Sequence, residues 1–137
     1  MATSDVQVKG SYNEKKKILM VDYDDHPTTT DFLLESEYEI CRIPSGTIAI
    51  RQLFNREFAP DLIMLDVIMP IMDGWEIFNK IRAIDFLKNV PILFFTSLDE
   101  EEEREKAFKL GAVDYIIKPC EEEELKSRIK KALEIGG

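Results

Sequence analysis

The sequence predicts an α/β fold: a doubly wound parallel sheet of five strands with five helices. Two observations lead to this prediction. Four short apolar runs of strand length each end in polar residues, and a helical pattern follows each predicted strand. Alternation at this spacing is typical of right-handed crossovers that place helices on both faces of a parallel sheet. The length of 137 residues suits a single domain.

The predicted strands differ in their hydrophobic pattern. Continuous apolar runs are typical of strands covered on both faces, whereas alternation of apolar and polar residues is typical of a less protected edge strand. The alternating run covers residues 38–43, which we therefore place at a sheet edge. The continuous runs are residues 18–21, 62–65, 91–95 and 115–117.

Helical patterns occupy the segments between the strands. Ser45 and Asp73 precede two of them as candidate N-caps, and Gly111 and Gly136 follow the last two as stop signals. Acidic residues crowd the first turns of the last two helices and basic residues come later, as the helix dipole favours. The predicted helices cover residues 28–37, 46–57, 75–87, 99–110 and 121–135.

Composition and charge exclude several classes of function. The chain has 27 acidic and 18 basic residues, a formal charge of −9, which argues against direct binding to nucleic acid or to an anionic membrane. Its apolar runs fall well short of the ~20 residues of a membrane helix. Two isolated cysteines and one histidine make zinc sites and disulfide scaffolds unfavourable and favour a cytoplasmic location. Residues 1–14 are polar and aperiodic, so we predict a flexible tail before a domain over residues 15–137.

Chemically useful side chains follow four of the predicted strands: Asp22, Asp66, Thr96 and Lys118. Doubly wound sheets bind ligands at the carboxyl ends of their strands. Clustered carboxylates repel one another unless a cation lies among them, and Mg²⁺ suits a site made only of oxygen ligands. An ammonium and a hydroxyl group suit the oxygens of a phosphoryl group, which an aspartate can accept as an acyl phosphate.

Residues 60–74, PDLIMLDVIMPIMDG, resemble the phosphoacceptor motif of response-regulator receiver domains, the CheY-like family. The spacings of 30 residues from Asp66 to Thr96 and 22 from Thr96 to Lys118 also match this family. The resemblance covers about residues 16–135. It implies the flavodoxin-like strand order 2-1-3-4-5.

The resemblance also implies roles for individual residues. Asp66 would be the phosphoacceptor, and Thr96 and Lys118 would contact the phosphoryl group. Tyr115, three residues before the lysine, would act with Thr96 as a conformational switch. The backbone carbonyl of Ile68 would be a metal ligand, and the peptide bond after Lys118 would be cis.

The segment after the first strand departs from the family pattern. The family has two adjacent acids there, whereas Asp22 is followed by Tyr23. In one interpretation, which we favour, the loop is remodelled and Asp24 or Asp25 replaces the missing acid. Asp24 is the favoured one of the two, because alternation puts it on the side of Asp22. In the other, the strand continues to Tyr23 and the acidic pair is Asp24 and Asp25. The favoured ligands of Mg²⁺, or of Mn²⁺ in its place, are Asp22, Asp24, Asp66 and the carbonyl of Ile68.

The function implied by the resemblance is a signalling switch. A sensor histidine kinase or phosphotransfer protein would phosphorylate Asp66, and the surface of the fourth helix, fifth strand and fifth helix would then change its affinity for an output domain or target protein. The domain would catalyse only its own phosphorylation and dephosphorylation, as a monomer or a phosphorylation-dependent dimer. Apolar Ile68 and Leu98, each two residues after a site residue, predict slow hydrolysis of the phosphorylated form.

Two other interpretations remain open at this point. A pseudo-receiver, an interaction module of the same fold without phosphorylation, is supported by Tyr23. A flavin-binding protein or a haloacid-type phosphatase is less favourable. The acids after the first strand would repel a flavin phosphate, and no second aspartate closely follows Asp66.

Overall fold

Five apolar segments form one parallel sheet in the computed structural model, which describes residues 14–23 and 34–136. The strand order is β2-β1-β3-β4-β5, and all four pairings are parallel. The predicted sheet and its order are confirmed, with the alternating segment at an edge. The strands are β1 Lys17–Val21, β2 Glu39–Ile43, β3 Leu62–Leu65, β4 Ile92–Thr96 and β5 Asp114–Ile117.

The described residues contain four α-helices, not the five predicted. Most of the first predicted helix falls on residues 24–33, which lie outside the described residues; residues 34 and 35 are helical. The four helices correspond to the second to fifth predicted ones. They are α1 Gly46–Phe54, α2 Gly74–Arg82, α3 Glu101–Leu110 and α4 Glu122–Gly136, and a short 3₁₀ helix covers Asp85–Leu87.

The helix ends correct three of the predicted boundaries. The helix predicted over residues 46–57 stops at Phe54, and Arg56 then adopts a φ of 59°. The helix predicted over residues 75–87 divides, because Ile84 is extended between α2 and the 3₁₀ helix. Ile84 stays buried nonetheless, so the apolar pattern persists where the α-helix has ended. The last helix includes Gly136 instead of stopping before it.

The predicted helix caps are confirmed by their hydrogen bonds. The Ser45 hydroxyl accepts from the backbone N–H of Ile48 at 3.2 Å, and the Asp73 carboxylate accepts from that of Glu76 at 3.0 Å. These bonds satisfy amide donors that have no partner within the helix. Gly111 ends α3 with a φ of 109°, a conformation that glycine adopts without steric cost.

The sheet separates two hydrophobic cores, which explains the continuous apolar runs. Residues on one side of the strands, such as Val21 and Phe94, pack with α1, α2 and α3. Residues on the other side, such as Met20 and Phe95, pack with α4 and with Leu34. Because side chains alternate between the faces, a strand with both faces covered is apolar at nearly every position.

The start of α2 lies directly against the end of β3. A Cβ atom at Gly74 would be 2.4 Å from the carbonyl oxygen of Asp66 and 2.7 Å from the Cα of Val67. The N–H of Gly74 donates to the Val67 carbonyl at 2.9 Å. Only a residue without a side chain permits this approach, so Gly74 helps to place the backbone of Asp66.

The predicted tail, residues 1–14, lies outside the described residues except for Glu14. Within the described ranges, no helix combines the length and the apolar character that crossing a membrane requires.

We expect Gly74→Ala to lower the free energy of unfolding by about 1–3 kcal/mol, because the clashing backbone atoms cannot move aside as a side chain could. Helix propensity alone predicts the opposite sign. Urea denaturation followed by circular dichroism measures the difference. Asn79→Ala, at an exposed position of the same helix, is the control. A denaturation midpoint of Gly74→Ala at or above that of the wild type would contradict the packing argument.

Candidate functional site

Asp22 and Asp66 lie side by side at the carboxyl ends of the neighbouring strands β1 and β3. The N–H of Asp22 donates to the carbonyl of Ile43 at 3.2 Å, and the N–H of Asp66 donates to that of Val21 at 3.0 Å. The hydrogen-bond ladder thus continues one residue beyond each strand and fixes both backbones. The two side chains are largely buried, with 8% and 12% of their surface exposed.

Lys118 bridges these two carboxylates. Its Nζ lies 2.6 Å from Oδ2 of Asp22 and 3.2 Å from Oδ2 of Asp66. Burial disfavours its charge, but hydrogen bonds and attraction from both aspartates outweigh burial and raise the pKa of Lys118. The lysine follows β5, where its N–H donates to the Thr96 carbonyl at 2.8 Å. Its peptide bond to Pro119 is cis, as expected.

The Asp66 carboxylate is held through both of its oxygens. Oδ1 accepts from the backbone N–H of Ile68 at 3.1 Å, while Oδ2 faces Lys118. The side chain of Ile68 is exposed. The carboxylate therefore has a defined orientation at the mouth of the site, next to an apolar side chain that faces solvent.

Thr96 and Tyr115 are connected through the backbone of Leu98. The Thr96 hydroxyl accepts from the Leu98 N–H at 3.3 Å, and the Tyr115 hydroxyl donates to the Leu98 carbonyl at 2.7 Å. Both predicted switch residues are fully buried. Burial, followed by the charges of nearby acidic groups including Asp66, raises the pKa of Tyr115 to about 12.

Sequence reasoning missed three arginines. Arg42 on β2 lies 3.7 Å from Oδ2 of Asp22, at the edge of the site. Arg104 on α3 and Arg128 on α4 both donate to the backbone carbonyl of Tyr115, at 3.3 and 3.2 Å. The sequence does place a basic residue, Arg42, within a predicted strand, and this could have indicated a role. In the sheet Arg42 pairs with Met20 and lies on the same face as it does. The helix pattern gave no comparable signal for Arg104 and Arg128.

The described carboxylates have the chemistry that Mg²⁺ requires, but the predicted ligand set is only partly described. Asp24, and the alternative pair with Asp25, lie outside the described residues. Within residues 14–23 and 34–136, no group of three or more His, Cys, Asp or Glu is arranged to hold a metal. Asp22 and Asp66 nevertheless offer hard oxygen donors that share one ammonium group. Tyr23, at the position of the missing acid, is exposed.

Comparison with known proteins identifies the family. A profile described as "Response regulator receiver domain" matches residues 18–130. The chain belongs to this family. It is a CheY-like receiver domain of two-component signalling. The family is neither of the two alternatives, a flavin-binding protein or a haloacid-type phosphatase.

Curated relatives contain similar domains within longer chains. The transcriptional regulatory protein CrdR of Helicobacter pylori is 36% identical over 119 residues, which make up 85% of this chain and 54% of CrdR. The transcriptional activator protein IrlR of Burkholderia pseudomallei is 33% identical over 124 residues, 88% of this chain and 51% of IrlR. The receiver domain spans about half the length of these relatives, and only 26% of a relative from Vibrio cholerae.

Solved structures agree with the family assignment. The chemotaxis protein CheY4 of Vibrio cholerae superimposes with a TM-score of 0.77 at 26% identity, covering 87% of this chain and 99% of CheY4. The receiver domain of the sensor histidine kinase PA1611 from Pseudomonas aeruginosa superimposes with a TM-score of 0.75 at 27% identity, covering 88% and 99%. That structure has a magnesium ion coordinated in its active-site cleft.

We expect Tyr115→Phe to flatten the dependence of stability on pH in the alkaline range. Folding raises the pKa of Tyr115 from 10 to about 12. The neutral phenol therefore contributes fully to the free energy of unfolding below pH 10, and this contribution is lost as the pH rises towards 12. Denaturation midpoints measured at steps of pH above 9 would test this. Tyr23→Phe, which changes an exposed ring, is the control. Parallel pH profiles for the wild type and Tyr115→Phe would contradict the burial argument.

Proposed function

We propose that this receiver domain accepts a phosphoryl group on Asp66 from a histidine kinase or phosphotransfer protein, in a reaction that depends on Mg²⁺. The observation that carries this proposal is the position of the Lys118 ammonium, 2.6 Å from Asp22 and 3.2 Å from Asp66 at the carboxyl edge of the sheet. The arrangement offers a nucleophilic carboxylate next to a fixed positive charge, which is what phosphoryl transfer requires.

Each residue has a defined part in the proposed transfer. A carboxylate oxygen of Asp66 attacks the phosphorus of a phosphohistidine. The new P–O bond forms as the P–N bond breaks, and the histidine nitrogen leaves with the electron pair. The N–H of Ile68 orients the carboxylate, since it binds Oδ1 at 3.1 Å. In the proposed transfer, Lys118 and the hydroxyl of Thr96 contact the phosphoryl oxygens.

The proposed cation ligands are Asp22, Asp24, Asp66 and the carbonyl of Ile68. Mg²⁺, or Mn²⁺ in its place, supplies positive charge that neutralises the phosphoryl oxygens. The magnesium ion in the PA1611 receiver domain supports this assignment by similarity. Asp22 also keeps Lys118 in place, because its oxygen is the closer partner of the ammonium.

The proposed switch uses the connection through Leu98. In the unphosphorylated structure, the Thr96 hydroxyl accepts a hydrogen bond from the Leu98 N–H. A phosphoryl group on Asp66 attracts this hydroxyl. A shift of Leu98 alters the hydrogen bond that the Tyr115 hydroxyl donates to the Leu98 carbonyl. Tyr115 is buried beneath the face formed by α3, β5 and α4, where a groove of about 390 Å³ is lined by Arg104 and Arg128, among others. We propose this face as the surface that recognises an output domain or target.

The remaining parts of the proposal concern the domain as a whole. It catalyses only its own phosphorylation and dephosphorylation, and works in the cytoplasm as a monomer or a phosphorylation-dependent dimer. We propose residues 15–137 as the extent of the receiver domain. The two cysteines are free thiols in the described part of the chain, which suits a reducing compartment.

We expect beryllofluoride, a mimic of an acyl phosphate, to bind only when Mg²⁺ is present. A bound ¹⁹F NMR signal should appear in the wild type and be absent from Asp66→Asn. Asp85→Asn is the matched control, because the Asp85 side chain is 93% exposed and pairs with Lys88, at 3.6 Å, and not with the residues of the site. A bound signal that persists in Asp66→Asn would show that beryllofluoride binds at another site and would contradict Asp66 as the phosphoacceptor.

A folded wild type with no bound signal would favour the second candidate, a pseudo-receiver. The observation for that candidate is Tyr23, exposed at the position where the family has an acid. In that case the domain would act through protein contacts without a covalent modification.

We expect Ile68→Asn to shorten the lifetime of phosphorylated Asp66. An amide at this exposed position can hydrogen-bond the attacking water, and one such bond of about 1 kcal/mol corresponds to about a fivefold faster decay. Leu98 is partly buried and its backbone links Thr96 to Tyr115, so Ile68 is the cleaner site to change. Decay is followed after phosphorylation with acetyl phosphate and removal of the donor.

Ile71→Asn is the control for this experiment. Ile71 is exposed in the same loop but lies further along the chain from Asp66. Equal lifetimes for Ile68→Asn and the wild type would show that the apolar side chain does not limit hydrolysis.

A further inference from the structure

Two cations contact the same oxygen of Asp22. Lys118 Nζ lies 2.6 Å from Oδ2, and a guanidinium nitrogen of Arg42 lies 3.7 Å from it. The two basic residues come from strands on opposite sides of Asp22: Arg42 is on β2, beside β1, and Lys118 follows β5 at the other edge of the sheet. The proposed function uses Lys118 but gives no part to Arg42.

The contact of Arg42 with Asp22 is electrostatic. A separation of 3.7 Å is within range for an ion pair but too long for a hydrogen bond, so this contact does not set the direction of the carboxylate. Only 18% of the Arg42 side chain and 8% of the Asp22 side chain are exposed. Because water has little access, the charges are screened less than on an open surface.

Among the described residues, two basic side chains face two carboxylates; Asp24, the third proposed carboxylate ligand, lies outside them. Asp22 and Asp66 contribute two negative charges, and Lys118 and Arg42 contribute two positive charges. Tyr23 adds no negative charge at the position that follows Asp22. A divalent cation that binds Asp22 must therefore share this carboxylate with two cations, and it is repelled by both.

We propose that Arg42 is a counter-ion of Asp22 that weakens the affinity of the site for a divalent cation. This inference rests on the proposed function, which places the cation at Asp22 and Asp66. Arg42 acts on the cation through the shared carboxylate and does not contact the reacting atoms. Its positive charge lowers the affinity of the unphosphorylated site for Mg²⁺. The dianionic phosphoryl group on Asp66 restores the attraction of the site for the cation.

The test is direct binding of Mn²⁺, measured as the loss of the free-ion signal in electron paramagnetic resonance. Removing a positive charge from a carboxylate shared with a dication corresponds to about a five- to tenfold gain in affinity. We therefore expect Arg42→Met to bind Mn²⁺ about five- to tenfold more tightly, and Arg42→Lys to stay near the wild type. If Arg42→Met does not fold, Arg42→Gln takes its place.

Two further variants separate the outcomes. Arg51→Met removes one charge from an exposed position on α1 and controls for the change in net charge. Asp66→Asn controls for binding at the proposed site and should weaken Mn²⁺ binding in every background. A folded Arg42→Met that binds no more tightly than the wild type overturns the inference, and so does an equal gain from Arg51→Met.

The two proposals fail in different ways. If Asp66→Asn weakens Mn²⁺ binding but Arg42→Met does not strengthen it, the counter-ion role fails and the cation site stands. If neither the wild type nor Arg42→Met binds Mn²⁺ in a manner that depends on Asp66, the cation requirement of the proposed function fails together with the role of Arg42.

Discussion

The Lys118 ammonium between Asp22 and Asp66 is the interaction on which the site depends. Two largely buried carboxylates repel each other unless a positive charge lies between them. Lys118 supplies that charge from 96 residues beyond Asp22 and 52 beyond Asp66. Its side chain reaches across the end of β4, where Nζ lies 5.1 Å from the centre of the Phe95 ring. The site is therefore complete only when β5 is paired in the sheet.

The same strand that delivers Lys118 connects the site to a distant face. Tyr115 lies three residues earlier on β5, with its hydroxyl bound to the loop after β4 and its carbonyl bound by arginines of α3 and α4. The contact to the Asp66 carboxylate and the contacts to α3 and α4 thus belong to one short segment, residues 115–118. Arg128 is itself held by Asp114, at 2.6 Å, at the start of that strand. The observed contacts of the proposed switch therefore run from Thr96 through Leu98 and Tyr115 to the two arginines.

Local sequence patterns predicted the elements better than their ends. The continuous apolar runs matched central strands, because both faces of the sheet are covered. The helix predicted over residues 75–87 failed at Ile84, which is buried at a helical spacing although its backbone is extended. The helix predicted over residues 46–57 ends at Phe54, and Arg56 then has a positive φ. Arginine is not a residue type whose presence predicts a positive φ. Hydrophobic period reports which side chains are buried, and only indirectly whether the backbone between them is helical.

The sequence by itself determined which chemical groups meet at the carboxyl edge of the sheet. The order of strands and helices, and the polar residue after each strand, place Asp22, Asp66, Thr96 and Lys118 together, because parallel strands end at a common edge. The tertiary structure alone decided how these groups pair: that Arg42 reaches Asp22, that Leu98 joins Thr96 to Tyr115, and that Gly74 packs on Asp66. These contacts depend on strand register and on the direction of side chains from separate elements. Neither is written in the local pattern of a single segment.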